Sequence, residues 1–69
     1  MSNHVYKTVE LTGTSATSSD EAVQNGIAKA SKSIHNIRWF EVRETRGDVR
    51  DGAVAHWQVT MKVGFTLDE

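Results

Sequence analysis

Trp39, Arg43, Arg46 and Gln58 are the residues whose types and placement could do chemistry in this chain. An indole offers a flat stacking face, and a glutamine amide donates and accepts hydrogen bonds at once. Two guanidinium groups in the same segment as Trp39 suit an anionic group such as a phosphate. Together they describe a site for a flat, hydrogen-bonding aromatic ligand. Each residue also has a simpler role. A surface Trp is more often an oligomer contact, because aromatics are enriched at interfaces. A Gln on a polar strand face is usually just solvated, and Arg43 and Arg46 can pair with Glu41, Glu44 or Asp48 across a sheet.

Other chemistries find no support. The five glycines are dispersed, so no phosphate-cradling loop is present. His4, His35 and His56 lack metal-ligand spacing, and no HExxH or paired-carboxylate constellation occurs. No nucleophile–base triad follows from the positions of Ser, His and Asp. The expectation is a protein that is not an enzyme. With 8 basic and 9 acidic side chains, the charge balance speaks against nucleic-acid or membrane-surface partners. No apolar run approaches the roughly 20 residues of a membrane span. The start, Met1 to His4, has no basic-then-apolar signal pattern, so a soluble cytoplasmic protein is expected.

The elements that must position these residues are legible as periodicities. From Trp57 to Leu67, apolar side chains occupy every second position, with His56, Gln58, Thr60 and Lys62 between them, the pattern of a strand with one buried face. Trp57 therefore belongs to the core. Phe40 and Val42 continue an apolar face in the segment from Ile37 to about Val49, while Trp39 points the other way. Asp51-Gly52 joins the two segments as a hairpin turn. A two-residue turn sets Arg50 opposite Ala53, Phe40 opposite Val63 and Val42 opposite Met61. It also pairs Glu41 with Lys62, while Gly47 is the candidate position for a bulge. Upstream, His4 to Thr12 alternates as a first strand whose apolar side is interrupted by Lys7, and Gly13 to Ser19 reads as a loop. Ser18 and Glu21 form a capping-box pattern, followed by a helical stripe of Val23, Ile27, Ala30 and Ile34. Gly26 weakens this helix and allows close approach to the sheet, and His35 and Asn36 end it.

The expected fold is α+β, in the order β-α-β-β: a three-stranded antiparallel sheet packed on one helix, as a single domain over residues 1–69. At this size one core is barely sufficient, and without cysteines no disulfide can reinforce it. Strands of about 13 residues extend roughly 40 Å, whereas a helix of about 17 covers only about 25 Å. The surplus apolar surface calls for another subunit. Residue patterns alone thus lead to a small oligomeric α+β binding module.

The run Trp39-Phe40-Glu41-Val42, the Asp51-Gly52 turn and the segment from Val54 to Phe65 resemble the bacterial dodecins. The similarity extends to His4-Val5-Tyr6-Lys7 and Gly13-Thr14-Ser15, and so over nearly the whole chain. The resemblance implies a flavoprotein of twelve subunits forming a hollow sphere, with flavins bound in stacked pairs at subunit interfaces, for storage rather than turnover. The family's stacking Trp and its Gln at the flavin pyrimidine edge correspond to Trp39 and Gln58. Arg46 corresponds to the Arg associated with the FMN phosphate. Glu44 and Asp48 lie where archaeal members hold the ribityl chain of riboflavin. Because Arg46 sits between them, FMN is the expected ligand, with riboflavin and FAD as alternatives. Some members also bind coenzyme A at a threefold channel. Lys7 and Lys29 are the counterparts of its basic residues, although Thr66 stands where a further one would help. Two other readings remain open: a structural or regulatory assembly protein with incidental ligand binding, and a flavin-dependent enzyme.

Overall fold

The computed structural model describes residues 3–67. Strand β1 spans Tyr6–Ser15, helix α1 Ser19–Ala30, strand β2 Ile37–Arg50 and strand β3 Ala53–Thr66. The order is the β-α-β-β expected, and the sheet is antiparallel with β3 in the middle, β1-β3-β2. Asp51 and Gly52 both have positive φ, 52° and 77°, as a tight two-residue hairpin requires, and Arg50 pairs with Ala53.

Alternation along β3 decides what is inside. Val59, Met61 and Val63 are buried, and Trp57 packs partly exposed against them. Val9 and Leu11 pair with Val63 and Met61 from one side, and Phe40 and Val42 pair with the same two residues from the other. These side chains share the face on which α1 lies, because paired residues point to the same side of a sheet.

Gly13 is not in a loop: β1 continues through it to Ser15, pairing Gly13 with Val59 and Ser15 with Trp57. The reason is the helix. A methyl at Gly13 would be driven into the carbonyl oxygen of Ala22, so the strand and α1 meet backbone to backbone there. Gly26 has the role expected of it, since a Cβ there would sit 3.0 Å from the Met61 methyl and 3.1 Å from Leu11. Ala22 and Gly26 are thus the fully buried line of α1, and Val23 and Ile27 flank it.

The helix is shorter than its stripe implied. Its N-cap is Ser18, whose hydroxyl accepts from the Glu21 backbone N–H at 3.0 Å, but the Glu21 carboxylate accepts from Ser15 Oγ at 2.6 Å instead of closing the capping box. At the other end Ser31 to Ser33 form tight turns, with Lys32 N–H donating to Lys29 and Ser33 N–H to Ala30. The backbone thus tightens to three-residue turns after Ala30, with Ile34 N–H also returning to the Ala30 carbonyl at 2.8 Å, and the regular helix stops before Ile34. Its 12 residues span about 18 Å against about 46 Å for either 14-residue hairpin strand. In consequence α1 covers β1 and β3, while Phe40 and Val42 on β2 stay 49% and 44% exposed. They line an open groove with Val23, Ile27 and Ile37.

Replacing Gly13 by Ala should destabilise the protein by about 1–3 kcal/mol or more through overpacking against backbone that cannot retreat. Gly52→Ala, which meets only the strain of a positive φ, should lose about 1 kcal/mol. Chemical denaturation of the two variants checks this; equal losses would contradict the seating of α1 on Gly13.

Candidate functional site

The site residues lie on the sheet face turned away from α1: Trp39 and Gln58 by simple alternation, Glu44, Arg46 and Asp48 because the β2–β3 register is broken. From the turn, Val49 pairs with Val54, but Asp48 pairs with His56, leaving Ala55 as an extra residue on β3. Further on, Glu44 pairs with Thr60 and Val42 with Met61, leaving Arg43 as an extra residue on β2. Arg38 is a third, between Ile37 and Trp39. The bulge near Gly47 therefore belongs to the opposite strand, with Gly47 itself paired to Trp57. Strict alternation along β2 would have sent Glu44, Arg46 and Asp48 to the helix side with Phe40 and Val42. The extra residue at Arg43 reverses the phase, and all three join Trp39 and Glu41 on the outer face.

At one end of this face Trp39 pairs with Gly64. A Cβ at Gly64 would collide with Nε1, Cε2 and Cζ2 of the indole, so the ring packs directly against the glycine backbone. Tyr6 meets it edge-on with ring centroids 6.2 Å apart, and Trp39 keeps 37% of its surface exposed. The indole is thus held between the Gly64 backbone and the Tyr6 ring while part of it stays open to solvent.

Towards the hairpin turn lies a line of polar side chains. Arg46 Nε donates to Gln58 Oε1 at 2.9 Å, and Gln58 Nε2 lies 3.0 Å from His56 Nε2. His56 Nδ1 is 3.9 Å from Asp48 Oδ2, which accepts from Arg50 Nε at 3.0 Å. Glu44 stands 3.9 Å from Arg46, and Arg43 is 3.8 Å from Glu41. The Glu44–Arg46 and Arg43–Glu41 pairs run along β2, whereas Glu41 with Lys62, at 3.8 Å, and Asp48 with His56 reach across to β3.

Trp39 and Gln58 share the face but not a location. Gly64, beneath the indole, and Gln58 are six residues apart on β3, about 20 Å at roughly 3.3 Å per residue. Arg46 and Glu44 cluster with Gln58. Lys7 pairs with Phe65 and so points to the helix side, and Lys29 sits in the last turn of α1. Neither forms an ion pair among the described residues, and neither joins the Trp39–Gln58 face. Thr66 pairs with Tyr6, on the outer face. Among the described residues no cluster of His, Cys, Asp and Glu could hold a metal ion, and no helix is long and apolar enough to cross a membrane.

Residues 5–68 match the family model described as Dodecin. The chain belongs to the dodecin family. It is 45% identical over 65 residues to Dodecin of Thermus thermophilus, a match covering 94% of each chain. Among solved structures, dodecin from Streptomyces davaonensis superposes with a TM-score of 0.95 at 57% identity, covering 99% of this chain and 100% of that one. Dodecin from Streptomyces coelicolor does so with a TM-score of 0.94 at 49% identity, over 100% and 99% of the two chains. The three-stranded sheet and single helix described above are thus the dodecin fold.

Two participants escaped the sequence reading of this dodecin. Gly64 was legible in principle, because an unbroken two-residue hairpin already sets it opposite Trp39. His56 is two residues from Gln58 on the same strand face, but nothing in the sequence marked it as that amide's partner. In a Trp57→Phe background, Gly64→Ala should lift the Trp39 indole off the sheet and shift its fluorescence emission to the red. Unchanged emission would mean that the ring does not rest on Gly64.

Proposed function

We propose that this dodecin stores and sequesters a flavin, with FMN favoured over riboflavin and FAD, at sites shared between subunits of a homododecamer. The observation that carries this reading is the separation of Trp39 from Gln58 on one face. A single flavin ring cannot bridge about 20 Å, so a site using both takes its stacking plane from one subunit and its amide edge from another. The family resemblance supplies the flavin and the stacked pair. Arg46 supports FMN: its Nε is committed to Gln58, while its terminal nitrogens remain for a phosphate in competition with Glu44 at 3.9 Å. Stacking against an electron-rich indole quenches the excited flavin by electron transfer and limits its photochemistry without turnover. The exposed groove beside Phe40 and Val42 supplies the apolar surface that assembly would bury. Lys7 and Lys29 are the residues proposed to meet the anionic groups of coenzyme A, should that ligand bind.

Native mass spectrometry should find twelve subunits and no stable folded monomer at micromolar concentration. A smaller closed oligomer would preserve the burial reasoning but overturn the assignment of twelve.

Titration with FMN, followed by quenching of flavin fluorescence, should show that Trp39→Ala abolishes tight binding while the assembly persists. The expected loss is at least the roughly 1–3 kcal/mol of base–aromatic stacking, since a flavin ring system is larger. Gln58→Ala should lose about 1–3 kcal/mol through the unpaired ligand edge. Trp57→Ala should instead damage folding or assembly by about 3 kcal/mol, the low end for a buried aromatic because Trp57 is only partly covered. Normal FMN binding by Trp39→Ala would exclude the proposed site.

A further inference from the structure

Gln58 does not stand alone, and the chemistry of its neighbours fixes which way round its amide sits. Arg46 Nε–H can only donate, so the amide atom it meets at 2.9 Å must be the oxygen. That orientation turns the amide nitrogen towards His56 Nε2, at 3.0 Å. An amide nitrogen can only donate, so His56 Nε2 must accept and carries no proton. The neutral ring then holds its proton on Nδ1, facing Asp48 Oδ2 at 3.9 Å. Asp48 is in turn held by Arg50 at 3.0 Å. Glutamine has two acceptor lone pairs and two N–H groups, of which Arg46 and His56 take one each. One acceptor and one donor are left for a ligand, the complement of an imide edge that sets an N–H beside a carbonyl.

We propose that His56 is a positioning residue for the ligand: with Arg46 it holds the Gln58 amide in a single sense and so sets the donor–acceptor pattern offered to the flavin's pyrimidine edge. This rests on the flavin reading above. His56 acts through Gln58 and does not touch the ligand. Without it the amide keeps its bond to Arg46 but loses the contact that holds its nitrogen end, and part of its order must then be supplied on binding.

The test combines a deuterium map with a double-mutant cycle on the intact assembly. Neutron diffraction of the ligand-free protein should place deuterium on Nδ1 of His56, none on Nε2, and the Gln58 amide nitrogen towards the ring. His56→Ala should raise the FMN dissociation constant roughly five- to tenfold, the scale of one net hydrogen bond, with thermal stability of the assembly unchanged. In a Gln58→Ala background the same substitution should change it less than about twofold, because the residue through which His56 acts is gone. Equal losses in both backgrounds, or a deuterium on Nε2, would overturn the role of His56 while flavin binding by the wild type stood. Wild-type protein that binds no FMN would overturn the flavin reading, and this role with it.

Discussion

Everything in this small fold depends on β3 being hydrogen-bonded on both edges and two-sided along its length. It is the middle strand, so its alternation is imposed on β1 and β2 together. Val59, Met61 and Val63 form the core on one face, and His56, Gln58, Thr60 and Lys62 lie on the other. A slip of one residue would exchange the two faces. The helix reinforces the choice from one side only, by setting Ala22 and Gly26 against Gly13, Leu11 and Met61. Small residues there allow contact between backbones, which is how a helix of 12 residues finds enough purchase on the sheet.

The outer face is assembled by irregularity. The extra residue at Ala55 moves Arg46 from a position opposite Trp57 to one opposite Gln58, and the extra residue at Arg43 restores the original pairing before Trp39 is reached. Between these two bulges the sheet carries its line of polar contacts, from Glu44 through Arg46, Gln58 and His56 to Asp48, which Arg50 meets from the turn side of Ala55. Outside them lie the hydrophobic pairs of Phe40 with Val63 and Val42 with Met61, and then the indole over Gly64. Bulges bend and re-aim a strand at the places where function requires it, and here they sort charged side chains away from the helix.

The mismatch between a short helix and a long hairpin links stability to site construction. One helix cannot cover β2, so apolar surface at Phe40 and Val42 stays open beside Val23 and Ile27. The same elongation, with a longest dimension of 55 Å, holds Trp39 and Gln58 apart. Further copies of the chain would bury the first and, in the flavin site proposed above, unite the second. Membership of the dodecin family, across residues 5–68, agrees with that economy.

Much of this was legible in the residues alone. The alternation of β3, the Asp51-Gly52 turn and the pairing of Glu41 with Lys62 follow from local periodicity and one turn type, and they were enough to set Trp39 and Trp57 on opposite faces. Element ends were less legible: Gly13 reads as a loop until the helix that needs it is in place, and Ile34 continues a helical stripe although the backbone has already tightened into turns after Ala30. What only the tertiary structure decided was the phase of Glu44, Arg46 and Asp48. The change of apolar parity between Val42 and Val49, and between Val54 and Trp57, signals that the register shifts somewhere near Gly47, but not which residue is left unpaired, so the bulges at Ala55 and Arg43 could not be placed. With them came the contacts of Arg46 and His56 with Gln58, since a hydrogen bond between side chains depends on register to the residue, and the register is settled only when both strands and the helix are packed together.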